Sequence, residues 1–221
     1  MATEARLYSV KVLDCHMNGL FSWVIEGLEH VIKRVNENSP RRVVVSMSLI
    51  GTKSYSLDIA LKKAFDLGVV MVASAGNFRA DACDFSPSSS PYVITVGATK
   101  EEGDGLFWFN TFYNSPGTNY GECVNIFAPG QWVRSASILS DNHLQQSSGT
   151  SLAAPIVAGV AALLLEETPT LSTQEVMNTV ISTATPNVLN FSIIPSSAVS
   201  KTPNLLVYIK PKGNYVICMC A

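Results

Sequence analysis

The residues with the clearest potential for chemistry lie in the segment 148–155, whose sequence is Ser-Gly-Thr-Ser-Leu-Ala-Ala-Pro. Small residues around Ser151 allow another chain to approach closely, and Pro155 is compatible with a helix start, where amide groups lack intrahelical partners. A hydroxyl at this point lies near the positive end of the helix dipole, which favours a developing negative charge. Ser151 is therefore a candidate nucleophile for acyl transfer, while helix capping by the same hydroxyl explains the segment equally well.

The elements that would position Ser151 follow from alternating patterns along the chain. Apolar runs of strand length alternate with helical periodicity, as expected where parallel strands need long crossover connections. The pattern predicts strands at 8–14, 43–49, 69–75, 92–98 and 124–127, and helices at 21–35, 56–67 and 156–165. We therefore expect an α/β layered domain with a mainly parallel sheet. Ligands bind beyond the carboxyl ends of such strands, so residues 48–51 and 76–77 are candidate binding positions.

Composition excludes several classes of protein. The 221 residues are 47% hydrophobic and 14% charged, and 15 basic residues face 17 acidic ones, so no basic surface for nucleic acid is expected. The most apolar stretch, 151–165, is shorter than the roughly 20 residues that a membrane span needs and contains Pro155. The N-terminus has no signal-peptide layout. We expect a compact domain that is either cytosolic or lacks its natural start.

Four ordered motifs resemble those of the subtilisin-like serine peptidases. Segment 149–155 resembles the family's nucleophile motif, segment 46–51 its substrate-binding strand, segment 75–77 its oxyanion motif, and segment 127–130, Phe-Ala-Pro-Gly, a further signature. The resemblance covers residues 7–185 and implies a subtilisin-like three-layer domain whose N-terminal part is missing. We predict that residues 1–185 are the C-terminal two-thirds of a peptidase domain and that residues 186–221 form an irregular tail.

The resemblance assigns roles to individual residues. Ser151 would be the nucleophile, and the side-chain amide of Asn77 would form an oxyanion hole with the backbone N–H of Ser151. Ile50 stands where active relatives carry glycine, which predicts a crowded peptide-binding cleft. The resemblance implies substrate-binding roles for Ser48, Leu49, Gly51, Ala75 and Gly76.

The histidines of this chain do not match the family's catalytic histidine. The family's order is Asp, His, Ser, because a base must take the serine proton and a carboxylate must orient that base. None of the histidines has the family's His-Gly-Thr context; they are His16, His30 and His143. Asp14 only mimics the catalytic aspartate, since the strand it ends resembles the one after the histidine motif. We therefore predict that the chain is close to inactive as it stands.

Within the family, the resemblance is closest to the proteinase K branch, and especially to the type nine proprotein convertases. It implies a disulfide between Cys83 and Cys123, and hence an oxidising, extracellular compartment for the full-length product. Asn125 stands where calcium-binding relatives carry aspartate. Because a neutral amide weakens a site for a hard cation, we predict no bound metal and no cofactor.

A glycosylation sequon, Asn190-Phe191-Ser192, lies in the predicted tail. Such a short motif also arises by chance, so the sequence leaves its use open.

Hypotheses from different classes remain. The first is a serine endopeptidase acting on peptide or protein substrates, here truncated. The second is a secreted binding protein on a peptidase scaffold that processes itself once and then binds a lipoprotein receptor, as the convertase resemblance implies. The third is an incomplete gene product without a stable fold.

Overall fold

The computed structural model describes residues 2–37, 42–100, 105–107 and 117–209. The described helices are α1 (Phe21–Glu37), α2 (Tyr55–Asp66), α3 (Thr150–Glu167), α4 (Thr173–Ser182) and α5 (Ser196–Val199), with a 3₁₀ turn at Ala82–Asp84. The described strands are β1 (Val44–Met47), β2 (Gly51–Thr52), β3 (Val70–Ser74), β4 (Phe85–Ser86), β5 (Ile94–Thr99), β6 (Ile126–Pro129), β7 (Val133–Ala136), β8 (Leu144–Ser147), β9 (Thr185–Pro186) and β10 (Leu205–Leu206).

A six-stranded sheet with the order β1-β3-β5-β6-β10-β9 forms the centre of the described structure. The neighbours from β1 to β10 are parallel, and β9 pairs antiparallel with β10. Two short antiparallel pairs, β2 with β4 and β7 with β8, lie outside this sheet. The α/β architecture with a mainly parallel sheet is as the sequence predicts.

Alternate residues of the central strands face opposite helical layers, because side chains in a strand point to the two faces in turn. In β3, Val70 and Val72 pack in the core with α3 and α4, whereas Met71 and Ala73 pack with α1 and α2. Every residue of β3 and β5 is buried, as expected for parallel strands covered on both faces. The result is three layers, with helices on both sides of the sheet.

Helix α3 packs across the sheet and buries residues along its whole length. Within the described residues it is the one helix whose length and apolar content would suffice to cross a membrane. Here its apolar side chains, including Val157 and Leu165, form the core against the strands.

Segment 8–14 differs from the predicted strand, because none of its residues pairs with a described strand. β1 lies at the edge of the sheet and pairs with β3 alone among the described strands. The segment instead runs along α1, where Val12 packs against the core around that helix. Apolar side chains such as Leu7 and Tyr8 are left exposed.

Residues 144–147 and the residues after 185 also differ from the predictions. No helix or strand is predicted between residues 128 and 147, yet this part of the chain contains the hairpin β7–β8, whose largely exposed strands lack the apolar run that would indicate them. The described part of the predicted irregular tail contains α5 and also β10, which pairs with β6 in the central sheet. Two leucines are too short a run for periodicity to indicate a strand, and the neighbouring strand decides the conformation.

Candidate active site

Ser151 is the second residue of α3 and is half-buried. The residue before the helix, Gly149, has a φ of 140°, and a Cβ there would lie 3.0 Å from Nδ2 of Asn77. A side chain at position 149 would therefore be strained and would meet the candidate oxyanion donor. The Gly149 N–H donates to the Gly130 carbonyl at 2.7 Å, which ties the helix start to the end of β6.

Pro155 lies in the second turn of α3, one turn further along than the sequence suggests, since the helix begins at Thr150. Proline has no N–H, so it removes the hydrogen bond to the carbonyl four residues before it, which is that of Ser151. The Ser48 hydroxyl replaces this donor and reaches the Ser151 carbonyl at 2.8 Å. The predicted substrate-binding segment is thereby attached to the first turn of the helix.

Asn77 follows the carboxyl end of β3, and its side-chain amide is held by Thr150. Its Oδ1 accepts from the Thr150 N–H at 2.9 Å and from the Thr150 hydroxyl at 3.0 Å. A backbone N–H can only donate, so the atom facing it is the amide oxygen and Nδ2 is turned away. The Thr150 oxygen also accepts the Gly76 N–H at 3.1 Å. Nδ2 is thus a fixed donor beside Gly149 with no acceptor among the described residues.

Sequence reasoning missed two positioning residues, Thr150 and Asn119, both fully buried. Asn119 donates to the Ala75 carbonyl and accepts from the N–H groups of Phe78 and Ala80. These three bonds hold the loop that carries Asn77. Asn119 lies between the predicted strands 92–98 and 124–127, outside every predicted element, so no burial pattern marked it. Thr150 lies in the recognised motif, but its position alone did not reveal what its hydroxyl binds.

The remaining predicted binding residues lie around this loop. Ala75 is buried, and the Leu49 carbonyl accepts the Ser74 hydroxyl at 3.4 Å. A Cβ on Gly76 would be only 2.4 Å from Cδ1 of Ile50, so the Ile50 side chain occupies the space beside Gly76. Gly51 lies farther along, in β2, where the ring of Phe21 packs on its Cα.

No histidine side chain hydrogen-bonds to Ser151 in the described part of the chain, which includes all three histidines. His16, His30 and His143 are exposed, and no described side chain hydrogen-bonds to the Ser151 hydroxyl. Asp14 belongs to a local turn, in which the N–H groups of Asn18 and then His16 hold the pKa of its carboxyl below the ordinary value of 3.8.

The cysteine and asparagine sites implied by the resemblance can also be located. Cys83 and Cys123 form a disulfide with an S–S distance of 2.07 Å, which confirms that expectation. Cys15 is an exposed free thiol. Oδ1 of Asn125 accepts the Thr95 N–H at 2.7 Å, and no group of three or more His, Cys, Asp or Glu residues suited to a metal occurs in the described part of the chain.

Comparison with known proteins identifies the class to which this fold and site belong. The model of the Subtilase family matches residues 1–219. The chain therefore belongs to the subtilase family of serine peptidases, in agreement with the resemblance of its motifs and with its subtilisin-like fold.

Two curated relatives and one solved structure illustrate this membership. The mouse proprotein convertase subtilisin/kexin type 9 is 37% identical over 222 residues, which cover 99% of this chain and 31% of that protein. An extracellular serine proteinase of Thermus sp. (strain Rt41A) is 39% identical over 208 residues, covering 94% and 46%. A crystal structure of a cold adapted subtilisin-like serine proteinase has a TM-score of 0.75 and 36% identity, covering 91% of this chain and 66% of that one. The chain thus spans less than half the length of these curated relatives.

Proposed function

We propose that this chain carries the nucleophile and the oxyanion hole of a serine endopeptidase site. The observation that carries the proposal is the amide of Asn77, whose oxygen is fixed by Thr150 so that Nδ2 lies beside Gly149, two residues before Ser151. An oxyanion hole needs donors fixed before the reaction, because donors that must reorient stabilise the transition state less.

In the proposed reaction, Oγ of Ser151 attacks the carbonyl carbon of a peptide and forms an acyl-enzyme. The developing oxyanion accepts from Nδ2 of Asn77 and from the backbone N–H of Ser151, which lies in the first helical turn and needs no intrahelical acceptor. A base must take the serine proton and later return it to the leaving amine.

We further propose that the 221-residue chain alone is close to inactive. Its three histidines are exposed and none bonds to Ser151, so no described residue is placed as a base to activate Oγ. In a subtilisin, loss of the triad serine or histidine lowers kcat by about 2 × 10⁶. Residual turnover should therefore come from the oxyanion hole and substrate binding only.

Rescue of activity by an added base tests both the role of Ser151 as nucleophile and the inactivity of the chain alone. Hydrolysis of a peptidyl p-nitrophenyl ester by the chain should be barely detectable alone and should rise with the concentration of neutral imidazole, which supplies the missing base in solution. Because imidazole also cleaves such esters directly, Ser151→Ala is the matched control, and only the difference between the two chains is counted.

Two results would contradict the proposal. High turnover without imidazole would mean that the chain has its own base, and the proposed inactivity would then be wrong. Equal imidazole-dependent rates for the parent and Ser151→Ala, with both chains folded by circular dichroism, would remove Ser151 as the nucleophile.

We propose that the position of Asn125 does not hold calcium. Ca²⁺ prefers several oxygen ligands that include carboxylates. Asn125 offers one neutral amide oxygen, which already accepts the Thr95 N–H. Calorimetric titration of the chain with Ca²⁺ should show no saturable heat of binding. A saturable heat that Asn125→Leu abolishes would contradict the proposal.

A secreted binding protein is the second candidate, favoured by the exposed apolar side chains of the hairpin β7–β8, which precedes Ser151 along the chain. Ile138 is fully exposed, at 101% of its reference area, and Leu139 at 74%. The disulfide and the name of the Thermus relative support an extracellular location. Surface plasmon resonance with a lipoprotein-receptor ectodomain tests this role: Leu139→Asp should abolish binding, and Ser151→Ala should leave it unchanged.

A further inference from the structure

The loop around Asn190 is fixed to the folded domain on both sides. Leu189 is buried, and the side-chain amide of Asn204 donates to its carbonyl and accepts from its N–H. The ring of Phe191 packs on that of Phe127, with centroids 5.9 Å apart. Arg79 Nε donates to the Ile193 carbonyl. The loop therefore has one defined conformation in which every second side chain points inward.

Asn190 and Ser192 are the outward-pointing residues of this loop, and both are exposed. Oδ1 of Asn190 accepts the Ser192 N–H at 2.8 Å, which forms an Asx turn. Since Oδ1 faces this donor, Nδ2 is directed elsewhere, and it has no acceptor among the described residues. The turn thus presents a free amide nitrogen and a serine hydroxyl side by side in solvent.

These features match what an N-glycosylation acceptor requires. The acceptor sequence is Asn-X-Ser/Thr with X other than proline, in an accessible surface loop of a secreted protein. Phe191 supplies the middle residue and also anchors the loop, so that the two reactive side chains stay exposed. The Cys83–Cys123 disulfide is independent support for passage through an oxidising compartment.

We propose that Asn190 is an N-linked glycan acceptor whose co-substrate is an oligosaccharide carried on a lipid pyrophosphate. The new bond joins C1 of the first sugar to Nδ2 of Asn190, and the bond that breaks joins this C1 to the phosphate oxygen. The lipid pyrophosphate leaves with the electron pair, and a base of the transferase takes one proton from Nδ2.

The test is secretion of the full chain from eukaryotic cells behind a cleaved leader, followed by digestion with peptide N-glycosidase. No other asparagine of the sequence begins an Asn-X-Ser/Thr sequon, so one enzyme-sensitive band shift is expected. The digestion should convert Asn190 to aspartate, which mass spectrometry of the peptide detects. Asn190→Gln and Ser192→Ala should lose the shift, and Ser192→Thr should keep it.

Leu144→Thr supplies a matched control, because it creates a second sequon at Asn142 in the exposed hairpin. The proposal is overturned if the secreted Leu144→Thr chain forms the Cys83–Cys123 disulfide and carries a glycan at Asn142 but none at Asn190. Secreted, disulfide-bonded parent chain with an unmodified Asn190 also overturns it.

Discussion

At the scale of single residues, the contact between Asn77 and Thr150 says most about how the proposed oxyanion donor is oriented. The hydroxyl and the N–H of one buried threonine both hold Oδ1, so the orientation of Nδ2 is set before any substrate arrives. Such fixed donors account for a large part of catalysis by acyl-transfer enzymes. The same threonine also accepts from the Gly76 N–H, which links the segment after β3 to the start of α3.

We predict that Asn77→Ala lowers the imidazole-dependent kcat for ester hydrolysis by about 10² to 10³, the range known for loss of an oxyanion donor in subtilisin. Thr150→Val should lower it less, because Asn77 remains but loses one of its two bonds. Thr150→Ser keeps the hydroxyl and should retain most of the rate. If the valine and serine variants have equal rates, the hydroxyl does not position Asn77.

Ile50 bears on which substrate side chains the proposed peptide-binding cleft accepts, since its Cδ1 lies against Gly76 there. We predict that Ile50→Gly raises kcat/KM for esters of phenylalanine relative to those of alanine, by about 10-fold or more, because the substitution frees space for a large side chain. The measurement is the ratio of the two imidazole-dependent rates. An unchanged ratio would mean that the Ile50 side chain lies outside the substrate's path.

At the scale of elements, the start of α4 shows how a local sequence signal and a charge act together. Ser172 and Glu175 form a capping box, in which the Glu175 carboxylate accepts from the hydroxyl and the N–H of Ser172, both at 2.7 Å. The Ser172 hydroxyl, and then its N–H, hold the pKa of Glu175 below its ordinary value of 4.5. Ionised Glu175 therefore stabilises the folded chain.

The sign of the pH dependence follows from this lowered pKa. The stabilisation is complete above the unfolded pKa near 4.5 and is lost as pH falls through the lower folded pKa. We predict that the difference in unfolding free energy between the parent and Glu175→Gln is positive near neutral pH and shrinks on acidification. Urea unfolding of both chains across this pH range measures it. A difference that does not change with pH would rule out a role for the carboxylate charge.

At the scale of the whole molecule, the Cys83–Cys123 disulfide connects the segment after β3 to the segment before β6 across 40 residues. Closing a loop of this length reduces the entropy of the unfolded chain, by an amount worth about 4 kcal/mol in the chain-entropy model. We predict that replacing both cysteines by alanine lowers the unfolding free energy by about this amount.

Urea unfolding of the double variant measures this loss. The control is Cys15→Ala, which removes an exposed free thiol and should change the unfolding free energy little. A double variant as stable as the parent would show that the unfolded chain is already compact in this region.

The sequence by itself determined the layered class of the fold and the order of the central strands along the chain, and it pointed to the candidate residues for chemistry. Strand and helix periodicity are local properties, and buried parallel strands such as β3 are continuous apolar runs, so these elements are visible without a structure. The motif around Ser151 and the segment containing Asn77 were visible through their resemblance to motifs of the subtilisin-like peptidases.

Only the tertiary structure decided which of these residues meet. Ser48 and Ser151 are joined because Pro155 leaves one carbonyl free, and Asn77 is held by Thr150, which is far from it in sequence. Segment 8–14 pairs with no described strand, while β10 joins the sheet although its two leucines are too short a run to predict one. Hydrogen-bond partners and strand pairing depend on contacts between distant parts of the chain, and periodicity within one segment carries no information about them.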